Sequence, residues 1–258
     1  MTALVTGAGR RLGRAMALEL ARAGHDVAIH YATSAQEAEN VAQEVRSLGR
    51  TAVTVQADLL HEPDMETLLP RAAVALGAPI TVLINNASIF EHDTIATATR
   101  TSWDRHLDSN LRAPFVLTQA LAAQVPDPIM DENGEPQAQG LVINMIDQRV
   151  LKLTPEFMTY TIAKMGLWAL TRTAAQALAP RVRVNAIGPG PTMQGARQSA
   201  EHFAGQRAAT VLQRGADAQG ICDALRYFLT ARAVTGQLIC VDGGQHLAWQ
   251  TPDVLGVE

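Results

Sequence analysis

The sequence predicts an α/β fold, a doubly wound parallel seven-stranded sheet flanked by helices on both faces. Two observations carry this. Short β-branched runs alternate along the chain with amphipathic helical stretches, and the first run leads directly into a glycine-bearing turn that opens a helix. Strands are expected at 2–5, 26–31, 51–56, 81–85, 140–145, 181–187 and 238–241. Helices are expected at 12–22, closed by Gly24, at 35–47 behind a Ser34 cap, and at 63–76, 103–124, 155–178 and 217–230. Right-handed crossovers between parallel strands wind such a string into layers of helix, sheet and helix, with the ligand crevice at the carboxyl ends of the strands. The run 126–139 carries Pro126, Pro128, Pro136 and Gly134 among acids and amides and reads as an irregular surface loop. The run 192–213 has no strong period, contains Gly195 and Gly205, and reads as a substrate lid. With no repeat and no linker in view, residues 1–258 are expected to form a single domain.

Composition narrows the ligand. With 47% hydrophobic residues the chain can bury a large core. A formal charge of -4 gives no general attraction to nucleic acid or to an anionic membrane, so an anion must be met by a local site and a small molecule is the expected partner. No apolar run approaches the roughly 18 residues that span a bilayer. The chain opens on a strand rather than a targeting segment, which points to the cytoplasm. Cys222 and Cys240 are too few for a disulfide framework, sit in apolar surroundings and read as core. The histidines show no ligand spacing beyond the weak pair His25 and His30, and no metal is expected.

The turn after the first strand, Thr6-Gly7-Ala8-Gly9-Arg10-Arg11-Leu12-Gly13-Arg14, has the character of a Rossmann-like phosphate site. Glycines let the backbone approach a pyrophosphate, and the helix N-terminus offers it N–H groups and the positive end of a dipole. At the end of the second strand, where a carboxylate would hold the ribose hydroxyls of NAD, stand His30, Tyr31, Ala32, Thr33 and Ser34. No carboxylate blocks a 2′-phosphate there. Arg10 and Arg11 can supply charge to that phosphate or to the pyrophosphate, and Thr33 and Ser34 can donate hydrogen bonds, so NADP(H) is expected over NAD. The competing reading is that both arginines are merely solvated.

Tyr160 and Lys164 stand at i and i+4 and so share one helix face. An ammonium beside a phenol favours phenolate, and would bring a hydroxyl with a free pKa of roughly 10 toward the neutral range. By itself this pair recurs by chance. Together with Thr6-Gly7 and Gly13, Asp58-Leu59, Asn85-Asn86-Ala87, Asn110, Pro189-Gly190 and Asp242-Gly243-Gly244, it resembles the short-chain dehydrogenase/reductase family over nearly the whole chain. The resemblance implies a nucleotide lying across the strand ends, against Gly7, Leu12, Gly13, Pro189 and Gly190. Asp58 and Leu59 would border the adenine and Asn85, Asn86 and Ala87 would line the cofactor. Lys164 would bind the nicotinamide ribose while assisting Tyr160, and Asn110 would anchor a proton relay through a water. It also implies a homotetramer packed through the helices 103–124 and 155–178. A buried Asn that simply ties strands together is the plainer reading of such polar groups.

Two departures from the family pattern narrow the substrate. Thirteen positions before Tyr160, where the family usually has Ser to hold a substrate carbonyl, stands Asp147, and the usual middle glycine of the first turn is Arg11. Both resemble the pteridine reductase branch, as do His30-Tyr31, Asn85-Asn86-Ala87-Ser88-Ile89-Phe90 and Asp242-Gly243-Gly244-Gln245-His246-Leu247. That branch often has arginine before the serine that follows the second strand; here the residue is Thr33. A pterin needs hydride at carbon and a proton at nitrogen, and a carboxyl group can bind or protonate such a nitrogen where serine can only hydrogen-bond. Phe90 can stack on the flat heterocycle or pack in the core, Arg11 would face ligand and phosphate together, and Ser88 can bond to the ring or to a cofactor phosphate. The expected reaction is NADPH-dependent reduction of a pterin or folate, with Asp147 and Tyr160 handling the proton and Lys164 lowering the Tyr160 pKa. Two other readings stay open: a carbonyl or imine reductase of the same family, and a non-catalytic NADP-binding regulator, against which the intact Asn110, Tyr160 and Lys164 argue.

Overall fold

The structure is a computed structural model that describes residues 1–195 and 198–251. Seven strands form one parallel sheet: β1 (Thr2–Val5), β2 (Asp26–Tyr31), β3 (Ala52–Gln56), β4 (Val82–Asn85), β7 (Gly140–Met145), β8 (Val182–Pro189) and β9 (Leu238–Val241), in the order β3-β2-β1-β4-β7-β8-β9. Every strand along the sheet pairs in parallel. Alternation of side chains divides the core in two. Ala3, Val5, Val27, Ile29, Val82, Ile84, Leu141 and Ile143 face one way, onto α1 (Arg11–Arg22), α2 (Ala35–Ser47) and α8 (Ala218–Thr230), through Met16, Leu20, Val41, Leu225 and Phe228. Leu4, Ala28, Leu83, Val142 and Val184 face the other way, onto α3 (Glu62–Leu76), α5 (Ala113–Gln124) and α6 (Met158–Leu178). The order reverses at β1, so the ends of β1 and β4 open the crevice expected of a doubly wound sheet.

Polar groups tie those strand ends together. Thr6 Oγ1 accepts the N–H groups of Asn86 and Ala87, both at 2.9 Å, and Asn86 Nδ2 donates to the carbonyls of Thr6 at 2.8 Å and Gly7 at 3.2 Å. Deeper in the sheet Asn85 Nδ2 donates to Asn144 Oδ1 at 2.8 Å, and Asn144 Nδ2 donates to Thr171 Oγ1 at 2.9 Å, linking β4, β7 and α6. Asn85 therefore ties strands together rather than facing a ligand. Among the described residues no helix is long and apolar enough to cross a membrane.

Several elements differ from expectation. The helix expected at 103–124 is in two parts, α4 (Arg100–Leu107) and α5, joined by a π turn, Asp108–Arg112. Pro114, at the start of α5, has no N–H for the Asn110 carbonyl, which loosens the ladder at that point. The helix expected from 155 starts at Met158, because Phe157 adopts a left-handed conformation (φ +58°). Ser34 precedes α2 without a side-chain cap bond. The run 126–139 is not wholly irregular. Ile129–Met130 (β5) pairs antiparallel with Pro136–Gln137 (β6) across a turn in which Asp131 Oδ1 accepts the Asn133 and Glu135 N–H groups at 2.8 and 2.9 Å. Within 192–213 a helix, α7 (Ala200–Ala208), is present; Ala196 and Arg197 of that stretch lie outside the described residues.

The glycine at 13 is a steric requirement. A Cβ there would stand 2.3 Å from the Gly7 carbonyl oxygen and 2.7 Å from Asn86 Nδ2. Gly13→Ala is expected to destabilise the protein by about 1–3 kcal/mol through backbone displacement. Urea unfolding checks this, and an unchanged midpoint would show that the turn relaxes freely.

Candidate active site

Three adjoining hollows run along the carboxyl edge of the sheet. The first, of about 410 Å³, is lined by Gly7, Gly9, Arg10 to Gly13, Tyr31 to Ser34 and Asn86 to Ser88. Its lining includes two arginines and no carboxylate. The second, about 390 Å³, shares Gly7, Ala32, Thr33, Ala87 and Ser88 with it and extends past His30, Asp58 and Leu59. The third, about 210 Å³, is bounded by Arg11, Leu12, Phe90, Asp147, Gln148, Arg149, Pro189 and Gly190, together with Met193, Gln198, Phe203 and Gln206 from the stretch after β8. The sequence-predicted residues line these hollows except Asn85, Asn110, Tyr160 and Lys164, which do not, and Arg11 borders both the first and the third hollow.

The first turn is built from within. Gly7 has φ +62°, and its N–H donates to His30 Nδ1 at 3.0 Å, while Ala8 N–H donates to the His30 carbonyl at 2.9 Å. Since His30 Nδ1 accepts, its Nε2 carries the proton and donates to the Ala57 carbonyl at 3.1 Å. Burial pushes His30 down to about 4, so the ring is neutral. His30 therefore shapes the turn. It leaves the Gly7 and Ala8 amides committed, and an anion must use the first-turn amides of α1, which have no intrahelical partners, no side-chain cap and no acid among them.

Both arginines are engaged, not merely solvated. Arg10 pairs with Glu37 across the turn, and Glu37 is held below its usual range by its own main-chain bond and then by Arg10. Arg11, at φ +54°, turns its guanidinium away to donate to the Gln194 carbonyl at 2.7 Å and the Met193 carbonyl at 2.9 Å. Asp58 places its Oδ1 on the Leu60 N–H at 3.0 Å while its own N–H is taken by Asp64 at 2.7 Å.

Asp147 lines the third hollow and meets Tyr160 behind it. The Tyr160 hydroxyl donates to Asp147 Oδ2 at 3.0 Å, and Asp147 Oδ1 accepts the Arg149 N–H at 2.8 Å within the short 3₁₀ turn Gln148–Leu151. Burial pushes the Asp147 carboxyl above the usual carboxylate range, against the Arg149 amide, the Arg149 and Lys164 charges and the Tyr160 hydroxyl. Tyr160, 5% exposed, is raised well above the ordinary phenol value by burial and by the Asp147 charge and hydrogen bond. This overturns the expectation that Lys164 lowers the tyrosine. Lys164 Nζ lies 5.6 Å from the Tyr160 ring centroid and spends a hydrogen bond on the Met145 carbonyl at 2.8 Å, and burial brings it down to about 8.

Asn110 is buried in the π turn, and its side chain clasps Ile89: Oδ1 accepts the Ile89 N–H at 2.9 Å and Nδ2 donates to the Ile89 carbonyl at 2.8 Å. Its main-chain carbonyl lacks the usual α-helical donor, because Pro114 has no N–H. Phe90 stacks on Phe157, ring centroids 4.2 Å apart and 9° from parallel, and meets the Tyr160 ring edge-on at 4.7 Å. Sequence reasoning missed Phe157, Gln148 and Arg149. Arg149 lies over the Phe157 ring at 5.2 Å. Proximity of Gln148 and Arg149 to Asp147 was the one available signal; the left-handed backbone that aims Phe157 leaves no mark in the sequence. Gly190 packs so closely on the strand after it that a Cβ would stand 2.6 Å from Asp242 Cα.

Cys222 and Cys240 are pushed up to about 11 and about 12, chiefly by burial, and stay protonated. Among the described residues no cluster of three or more His, Cys, Asp or Glu could hold a metal ion. Because the Asp147 charge holds Lys164 up, Asp147→Asn is expected to move the Lys164 titration below about 8. NMR of the lysine ε-carbon measures it, and an unmoved midpoint would mean that the two charges do not communicate.

Known proteins share this arrangement. The profile of the short chain dehydrogenase family matches residues 1–204. A crystal structure of FolM alternative dihydrofolate reductase 1 from Brucella canis, complexed with NADP, superposes with a TM-score of 0.90 at 45% identity, covering 98% of this chain and 96% of that one. Landomycin C-6 ketoreductase LanV, with bound NADP and rabelomycin, superposes with a TM-score of 0.82 at 30% identity, covering 96% of each chain. The 3-oxoacyl-(acyl-carrier-protein) reductase FabG of Staphylococcus epidermidis is 30% identical over 251 residues, covering 95% of this chain and 99% of the relative. A family match over this length, with the glycine turn and the Tyr160–Lys164 pair in place on one sheet edge, makes the chain a member of the short-chain dehydrogenase family.

Proposed function

We propose that the protein is an NADPH-dependent reductase of a pterin or folate, converting a dihydropteridine to the tetrahydro form. The observation that carries this reading is the carboxyl–phenol pair, the Tyr160 hydroxyl 3.0 Å from Asp147 Oδ2, with Asp147 lining the third hollow. The similarity to FolM supports it, since that relative is named a dihydrofolate reductase and was crystallised with NADP.

The residues present fit a dinucleotide. The hollow along the glycine turn, about 410 Å³, is lined by Gly7, Gly9, Gly13 and two arginines, and neither it nor the adjoining hollow carries an acid at the end of β2. Arg10 to Gly13, Tyr31, Thr33 and Ser34 would hold its phosphates, Asp58 and Leu59 its adenine, and Asn86, Ala87, Lys164, Pro189 and Gly190 its nicotinamide end. When bound, NADPH supplies the hydride. The protein supplies the proton and the orientation. Tyr160, with its pKa raised, is a neutral phenol throughout the physiological range and acts as a donor rather than a base. Asp147, raised by burial, holds a proton more readily than an ordinary carboxylate, and in that form would refill the phenol through their shared bond or give the proton directly to a ring nitrogen. Phe90, braced by Phe157, would offer its ring to a flat substrate, and Ser88 a hydrogen bond.

The wider reading is of a single domain, cytoplasmic and homotetrameric, with 192–213 as the lid. An apolar hollow of about 220 Å³ on the outer faces of α5 and α6, lined by Phe115, Leu170, Ala174 and Leu178, supports packing through those helices.

Loss of NADPH absorbance with a panel of dihydropterins, dihydrofolate and simple ketones tests the activity. Pterin or folate turnover is expected. Turnover of ketones alone would select a carbonyl reductase of the same family, and tight NADPH binding without any turnover would select a non-catalytic regulator. Tyr160→Phe is expected to keep NADPH affinity and lose about 100-fold or more in kcat. Arg11→Ala is expected to raise the KM for substrate and for NADPH together, because Arg11 borders both hollows; a change in NADPH alone would remove Arg11 from the substrate side.

A further inference from the structure

Helix α6 begins without a cap of its own. Phe157 makes no side-chain cap bond and the first turn contains no acid. Its first two amides are taken instead by Asp93, on the loop that follows β4. The Asp93 carbonyl accepts the Met158 N–H at 3.2 Å, and Asp93 Oδ1 accepts the Thr159 N–H at 3.1 Å. Asp93 Oδ2 takes the Thr159 hydroxyl at 2.5 Å. His106 of α4 completes the chain: its Nδ1 lies 2.7 Å from Thr159 Oγ1, and its Nε2 accepts the Glu91 N–H at 3.1 Å. A backbone N–H can only donate, so Nε2 carries no proton and the neutral ring donates from Nδ1. Every direction is then determined, from Glu91 N–H to His106, to Thr159, to Asp93. The three side chains are 2%, 0% and 1% exposed for Asp93, His106 and Thr159.

Tyr160, the partner of Asp147, and Phe90, which lines the third hollow, both hang on this chain. Thr159 immediately precedes Tyr160, and the His106 ring meets the Tyr160 ring edge-on at 6.0 Å. Glu91 immediately follows Phe90, whose ring meets Tyr160 from its own loop. We propose that Asp93, His106 and Thr159 are positioning residues that seat the Tyr160 hydroxyl and lock the Phe90 loop to the start of α6, so that donor and aromatic wall are held as one unit. Their catalytic importance rests on the reductase reading above; their hydrogen-bond order does not.

The carboxylates around the chain favour an imidazolium. His106 faces Asp93, the Glu91 carboxylate and Arg105, which pairs with Glu91 at 2.9 Å. Burial nevertheless holds His106 below the usual imidazole value. Burial works to raise Asp93, but the hydroxyl and amide of Thr159, with Ser102, hold it below the usual carboxylate range. A second proton on His106 would set an N–H against the Glu91 N–H, so acid is expected to loosen the assembly. With the folded value depressed, the stabilising contribution is complete above the unfolded value of 6.5 and is lost as pH falls below it.

Thr159→Val keeps the shape and removes the hydroxyl, and Thr159→Ser restores it. The Val variant is expected to lose about 10- to 100-fold in kcat for the pterin with the NADPH dissociation constant unchanged, and the Ser variant to recover most of the loss. Wild-type kcat in the Val variant, or an equal loss of NADPH affinity, would overturn the proposal. Nitrogen-15 NMR of the imidazole rings, assigned with His106→Gln, reads the assembly without any substrate. A neutral ring protonated on Nδ1 at neutral pH is expected, and an Nε2-protonated ring or an imidazolium would overturn it. If the wild-type protein turned over no pterin or folate, the reductase reading would fail while the NMR result would still decide the hydrogen-bond order.

Discussion

A carboxyl group placed against the hydroxyl of Tyr160 is the constraint on which the rest of the site depends. With a serine at position 147, a nearby ammonium would be the main charge acting on the phenol, and the tyrosine would tend toward phenolate. Asp147 reverses the sign. Burial and the carboxylate together raise the tyrosine, the tyrosine hydroxyl helps keep the carboxyl from rising further, and Lys164 is left bonded to the Met145 carbonyl. Such a pair titrates as a unit, and it offers a proton to a basic nitrogen more readily than it accepts one from an alcohol.

The scaffold works to keep that pair in place while leaving space along the strand ends. Glycines at 13 and 190 stand where another backbone comes too close for a Cβ, and Gly7 takes a positive φ. His30 and Thr6 knit the first turn to β2 and β4, and the Asn110 side chain pins Ile89 beside the aromatic wall. These are buried hydrogen bonds whose loss would strand polar groups away from water, which makes the geometry stiff where the chemistry needs it. Arg11 differs in kind. It spans from the first turn to the backbone of residues 193 and 194, so the region that would meet phosphate and the segment over the third hollow share one side chain.

Much of this was legible in the sequence because it is periodic or local. The strands at 2–5, 26–31, 140–145 and 238–241 match to the residue, since alternation and bounding turn residues mark their ends. The gathering of Gly7, Phe90, Asp147, Tyr160 and Gly190 on one sheet edge follows from parallel strands ending together. Less legible were features set by partners far away in sequence. The break of the 103–124 helix had a local cause in Pro114, but the same proline is compatible with a simple kink. Phe157 is left-handed because Asp93, 64 residues earlier, supplies the bonds a cap would have made. The sign of the Tyr160 shift depended on comparing a carboxylate in direct contact with an ammonium that bonds elsewhere, and spacing alone carries no distances.

On the proposed reading, Asp147 makes the Tyr160 site selective for protonating a ring nitrogen. The direct measurement is the ratio of kcat/KM for a dihydropterin to that for a simple ketone, in the wild-type protein and in Asp147→Ser. The ratio is expected to fall by about 100-fold or more in the serine variant, through loss of pterin reduction and gain of ketone reduction. An unchanged ratio would contradict it, and would leave Asp147 as a carboxyl that merely braces the tyrosine.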